Sequence, residues 1–155
     1  MQQITIQSAG RWGGEIENRT FDLKKALEEL IDNYRSGHEK ATINLDFQLK
    51  DPEIFADPFH LIHLVDNLIS NALKYAGEKA EIQITCKQEK TNKLLISVKD
   101  NGPGVSTHSR KRIFRTGFHS NHRHQNSHGI GLAYVRKIVR QYNGHIQIKS
   151  KENEG

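Results

Sequence analysis

The sequence lacks most of what builds disulfide scaffolds, secretion signals and membrane anchors. Its 155 residues include one cysteine, Cys86, which excludes an intramolecular disulfide framework and a cysteine-built zinc site. A reducing compartment fits that usage best. No apolar run approaches the roughly 20 residues that cross a bilayer, so no membrane contact by this chain is expected. The opening Met1-Gln2-Gln3-Ile4-Thr5 has neither the basic segment nor the apolar core of a secretion signal. Internal repeats, heptads and low-complexity tracts are also missing. What remains is a polar composition, 35% hydrophobic and 26% charged, long enough for one domain with one core.

Acidic residues are missing from one stretch. Between Val105 and His128 stand Arg110, Lys111, Arg112, Arg115 and Arg123, with no Asp or Glu. The formal net charge is +5, so the rest of the chain is neutral. His108, His119, His122, His124 and His128 lie in the same stretch. Such a segment suits either a local anionic ligand or a solvated basic loop. Nucleic-acid binding is not expected, because it usually spreads basic residues along a groove or helix face. Nor is a metal site at His119, His122 and His124, since a loop without an acidic partner is poorly preorganised.

The periodicities predict an α+β chain with helices on one face of a mostly antiparallel sheet. Residues 1–20 read as a linker or an edge strand, with strand-like alternation over Gln3–Gln7 and a turn at Gly10–Gly14. A helix is expected over Phe21–Tyr34, opened by Asp22, and a half-buried strand over Ala41–Leu49. Asp57-Pro58 supplies an N-cap carboxylate and a proline at the first helical position, for a helix running to Ala76 and stopping at Gly77. Ala80–Lys87 and Lys93–Asp100 form a hairpin. Ile130–Tyr142 reads as an amphipathic helix stopped by Gly144, and His145–Ser150 as a last short strand. Cys86 falls in a strand and is expected in the core.

Three features carry chemistry. At 100° per residue, His60, His63, Asn67, Asn71 and Lys74 share one stripe of the helix after Asp57. Paired asparagines are poor helix formers. Their amide oxygens can ligate a hard cation such as Mg²⁺, and Lys74 can meet a phosphate, although an ordinary polar face is the other reading. Asp100-Asn101-Gly102-Pro103-Gly104 ends a strand in a tight turn, where a carboxylate can accept the amino group of a base or merely cap the turn. Gly129-Ile130-Gly131-Leu132 opens a helix, where backbone N–H groups and the helix dipole can take a phosphate. Each motif alone is common.

In this order the three together resemble the ATP-binding domain of bacterial sensor histidine kinases, of the GHKL superfamily and Bergerat fold. The resemblance runs from about Phe21 to Ser150. Asn67, Asn71, Ala72, Lys74 and Tyr75 match the family's N box, and Asp100–Gly104 its G1 box. Ile113-Phe114 with Gly117-Phe118 match its F box, and Gly129–Leu132 its G2 box. The implied fold is a two-layer α/β sandwich, with residues 21–155 as the ATP-binding domain and its last strand truncated at Gly155. The implied cofactors are ATP and Mg²⁺. Asn71 would ligate the metal, with Asn67 beside it, Lys74 on phosphate and Tyr75 against adenine or ribose. Asp100 would accept the adenine amino group, and Gly102 and Gly104 would leave room for the purine. Gly129 and Gly131, with His128, Ile130 and Leu132 around them, would bring backbone amides to the phosphates. Val105–His128, including Phe114 and Arg115, would be the ATP lid, with Arg115, His119 and Arg123 as candidates for the terminal phosphate. Ser127 stands where the family usually has glycine.

The implied activity is transfer of the ATP γ-phosphoryl to a histidine on a separate dimerisation domain, for relay to a response regulator. The cell compartment implied is the cytoplasm, with a parent protein anchored in the inner membrane as one arrangement. His38-Glu39 follows a helix end rather than lying in a helical hairpin, so His38 reads as a loop residue and the acceptor lies elsewhere. A GHKL ATPase, an anti-sigma serine kinase and a nucleotide-sensing pseudokinase are the alternatives. Against the ATPase stands Asn67, at the position where those enzymes resemble one another in placing a water-activating Glu; an amide is no general base.

Overall fold

The computed structural model describes residues 2–7, 16–90, 93–106, 113 and 131–150. The described strands and helices are β1 (Gln2–Gln7), β2 (Arg19–Asp22), α1 (Leu23–Gly37), β3 (Thr42–Phe47), β4 (Glu53–Ala56) and α2 (Pro58–Ala76). They continue with β5 (Glu81–Lys90), β6 (Lys93–Asp100), α3 (Gly131–Gln141) and β7 (His145–Ile148). Five strands form one sheet in the order β3-β5-β6-β1-β7, and β2 pairs with β4 in a separate ribbon. The pair β3–β5 is parallel and the other pairs in the sheet are antiparallel. A parallel pair requires a crossover, which β4 and α2 provide.

One face of the sheet is apolar. Its registers align Phe47, Cys86, Ile96, Ile4 and Ile146 in a row that crosses all five strands. Ile82, Ile84 and Val98 lie on the same face by the period of two. The helices close on it with Leu23, Leu27 and Ile31 of α1, Leu61, Leu64, Val65, Leu68 and Ile69 of α2, and Val135, Ile138 and Val139 of α3. Spacings of three and four residues put each set on one helical stripe. The α+β arrangement expected from periodicity, with helices on one face of a mostly antiparallel sheet, is therefore the fold, and it is the two-layer sandwich that the resemblance implies.

Local chemistry explains the ends of α2. The Asp57 side chain accepts from the His60 N–H at 3.1 Å, Pro58 needs no N–H partner in the first turn, and Gly77 leaves the helix at φ 80°. The Asp57 carboxylate also accepts from the Glu17 N–H at 2.8 Å, while its own N–H donates to the Tyr142 hydroxyl at 2.9 Å. That hydroxyl donates in turn to Asn18 at 3.2 Å. The approach to β2, the start of α2 and the end of α3 therefore meet at one buried polar knot.

Two expectations need correction. Gln3–Gln7 does not lie at an edge: β1 sits between β6 and β7, because both offered an open antiparallel flank and Ile4 fills the core at 0% exposure. Phe21 and Asp22 belong to β2, and Asp22 serves as the cap of α1, accepting from the Lys25 N–H at 2.9 Å. The ribbon β2–β4, pairing Phe21 with Ile54, was not anticipated. His38 follows α1 as its C-cap, in the loop where it was expected, with its ring 6.1 Å from that of Tyr34.

Candidate functional site

The long helix α2 organises the site. Asn67, Asn71 and Lys74 are half-buried along the stripe expected of them, and Tyr75 is 40% exposed at its end. Lys74 Nζ lies 5.3 Å from the centre of the Tyr75 ring, a cation–π distance. Asn67 donates its amide N–H to the His63 carbonyl at 2.7 Å, and its Oδ1 faces Gly131 at the start of α3.

The turn after β6 packs against the C-terminal end of this helix. A Cβ on Gly102 would stand 2.7 Å from Asp100 Oδ1 and 3.5 Å from the Ala76 nitrogen, so a larger residue would push the Asp100 carboxylate from its place. Gly104 has φ 72°, the left-handed region where glycine carries no steric penalty. Asp100 Oδ1 accepts from the Gly102 N–H at 2.9 Å, and Oδ2 is the carboxylate's second acceptor. Asn101 fastens the turn from outside, accepting from the Glu81 N–H at 2.9 Å and donating to the Lys79 carbonyl at 3.2 Å. One amide thus ties the end of β6 to the start of β5.

The third segment arrives through α3. A Cβ on Gly131 would collide with Asn67 Oδ1, so the helix starts directly against the asparagine. Leu132 is half-buried against the core. Two stretches far apart in sequence therefore converge on α2: Gly102 beside Ala76 at one end, Gly131 beside Asn67 further along. Phe114, Arg115, His128, Gly129 and Ile130 lie outside the described residues. Of the basic stretch, Val105, Ser106 and Ile113 are described. Ile113 is buried, and the Val105 N–H donates to Ser150 Oγ at 2.7 Å, tying the start of that stretch to the segment just after β7.

This convergence coincides with what sequence and structure comparisons find. Residues 56–155 match the family described as histidine kinase-, DNA gyrase B- and HSP90-like ATPases. The chain belongs to that family. It is 34% identical to the sensor protein RprX of Bacteroides fragilis over 146 residues, which is 90% of this chain and 28% of the relative. It is 27% identical to the adaptive-response sensory kinase SasA of a Synechocystis strain, over 91% of this chain and 38% of SasA. The chain thus spans well under half the length of these relatives. Among solved structures, the catalytic domain of the histidine kinase ThkA superposes with a TM-score of 0.76 at 25% identity, covering 88% of this chain and 89% of ThkA's. The family's ATPase character makes ATP the substrate of this domain.

The residues present also fit a hard cation. Neutral amide oxygens and phosphate oxygens are ligands of the kind Mg²⁺ takes, and Asn67 Oδ1 stands where the start of α3 meets α2. Among the described residues there is no cluster of three His, Cys, Asp or Glu side chains that would hold a metal unaided, so the cation's remaining ligands would be phosphate and water.

Periodicity missed two parts of this region. One is the Asn101 bridge. The other is an aromatic cluster at the N-terminal end of α2, where His60 Nδ1 and the Tyr134 hydroxyl are 2.6 Å apart and the His63 and Tyr134 rings are 4.6 Å apart. Burial, then the Asp57 charge and the Tyr142 hydroxyl, push the Tyr134 hydroxyl above its ordinary pKa and keep it neutral. Only the histidines' place on the stripe hinted at this cluster. Tyr134 lies far away in sequence.

Proposed function

We propose that this chain is the ATP-binding catalytic domain of a sensor histidine kinase. In this reading it donates the γ-phosphoryl of ATP to a histidine on the dimerisation helices of its parent, for relay to a response regulator in the cytoplasm. The observation that carries the reading is the meeting of Asn67, Asn71 and Lys74 with the Gly102 turn and Gly131 along one helix. The domain is taken as residues 21–155, with β1 completing its sheet. Among the described residues no helix is long and apolar enough to cross a membrane.

Roles follow from chemistry. Asp100 accepts the adenine amino group, and the missing side chains of Gly102 and Gly104 admit the purine, with Tyr75 on its rim. Asn71 and Asn67 offer amide oxygens to Mg²⁺, which would neutralise phosphate charge when bound. Lys74 meets phosphate as a point charge, and Gly131 lets backbone N–H groups approach at the start of α3. Leu132 packs that first turn onto the core. Phosphoryl transfer needs positioning and charge neutralisation more than a strong base from this domain. An amide at position 67 cannot activate water, which favours transfer to a histidine over hydrolysis.

The test is nucleotide selectivity at Asp100. Guanine carries a carbonyl where adenine has its amino group, so wild type should prefer ATP over GTP. Loss of a charged hydrogen bond costs about 1.5–3 kcal/mol. Asp100→Ala should therefore weaken ATP about 10- to 150-fold in calorimetric titration and leave GTP little changed. Unchanged ATP affinity would remove Asp100 from base recognition.

A further inference from the structure

The functional stripe of α2 continues past Asn67. One turn nearer the N-terminus is His63, whose carbonyl is the acceptor for the Asn67 amide, so the two residues are locked in register. The His63 side chain is exposed yet held between rings: Tyr134 of α3 lies 4.6 Å away, centre to centre, and Phe59 lies 5.8 Å away. Tyr134 is fixed in turn by His60. Gly131 against Asn67 and Tyr134 against His63 are successive turns of α3 on successive turns of α2. The line along which the two helices meet therefore runs on from Asn67 to His63, whose side chain is exposed beside it.

The nearest carboxylates of α2 are engaged elsewhere. Asp57 accepts from the N–H groups of Glu17 and His60, and Asp66 accepts from the Tyr34 hydroxyl of α1 at 2.7 Å. An anion beside His63 would not displace them.

We propose that His63 contacts the terminal phosphate of the bound nucleotide, with Tyr134 and His60 as positioning residues. The inference rests on the site reading above. With the base held at Asp100 and Gly102, beside Ala76, the phosphate chain runs toward the N-terminal end of α2, past Asn71 and Asn67. The next side chain on that stripe is His63, about 6 Å further along the axis at 1.5 Å per residue. A neutral imidazole has one N–H to donate and a protonated one has two, so His63 can donate to a phosphate oxygen in either state. A β-phosphate ends the chain one group short of it. His63 thus separates ATP from ADP.

Equilibrium binding of Mg-ATP and Mg-ADP to wild type, His63→Ala, His63→Gln and Tyr134→Phe tests this. His63→Ala should weaken ATP about 10-fold, the scale of one hydrogen bond to a charged group, and leave ADP within about twofold. His63→Gln keeps an N–H donor and should recover part of the ATP affinity. Tyr134→Phe keeps the ring but loses the hydroxyl that His60 holds, and should fall between, again for ATP alone. An ATP-to-ADP affinity ratio unchanged by His63→Ala, in a protein whose ATP binding responds to Asp100→Ala, overturns the inference and leaves the site reading standing. Wild-type protein that binds neither nucleotide overturns both.

Discussion

At the scale of the residue, Cys86 gives a pH signature without touching the site. Burial, and then the Asp46 charge, push its thiol from the ordinary value near 9 up to about 12. Below pH 9 both folded and unfolded chains hold the proton, so the full contribution to stability is present. Between pH 9 and 12 the unfolded chain ionises and the native one does not, and stability is lost at about 1.4 kcal/mol per pH unit from this group. Cys86→Ala removes that slope while adding a constant cavity cost. Urea midpoints of the two proteins should therefore converge as pH rises from 9 to 11; parallel curves would show that the thiol ionises alike in both states. That Cys86 lies in the core was legible from its place in an alternating run. The Asn101 bridge was not, although its neighbours Asp100 and Gly102 were singled out: the groups it holds, Lys79 and Glu81, are brought near only by the β5–β6 pairing.

At the scale of the element, α2 and β2 show why some boundaries can be read and others cannot. The limits of α2 are set by Asp57, Pro58 and Gly77, whose effects act within one turn, so they are visible without tertiary context. Strands β2 and β4 are four residues each and exist through their mutual pairing, which no local pattern records. The stripe from His60 to Lys74 was legible because a helix keeps its own geometry, while the pairing of Tyr134 with His60 depends on how α3 lies across it. That crossing is pinned at its far end by Tyr142. Tyr142→Phe leaves the Asp57 N–H buried without an acceptor and Asn18 without its donor. The expected loss is about 1–3 kcal/mol, measured by chemical denaturation. A change below about 0.5 kcal/mol would mean that the knot joining β2, α2 and α3 adds little.

At the scale of the whole molecule, β1 sets the integrity of the sheet. It is the neighbour through which β7 joins β6, β5 and β3, and its Ile4 stands between Ile96 and Ile146. Ile4→Ala should cost about 2–5 kcal/mol. The loss should be uneven. Amide exchange at His145–Ile148 should accelerate more than at Thr42–Phe47, which pairs with β5 on the opposite side; equal acceleration would show that the sheet opens only as a unit. The same placement bears on how the protein is made. During synthesis β1 emerges before the helices of this domain, and its partners β6 and β7 emerge after most of them. Until they appear, its two hydrogen-bonding edges have no native match, and local helices can form long before the sheet can close. Pairing at such sequence separation is slow and leaves strand edges open to wrong partners, so nascent chains of this protein should depend on chaperone protection until β7 has left the exit tunnel.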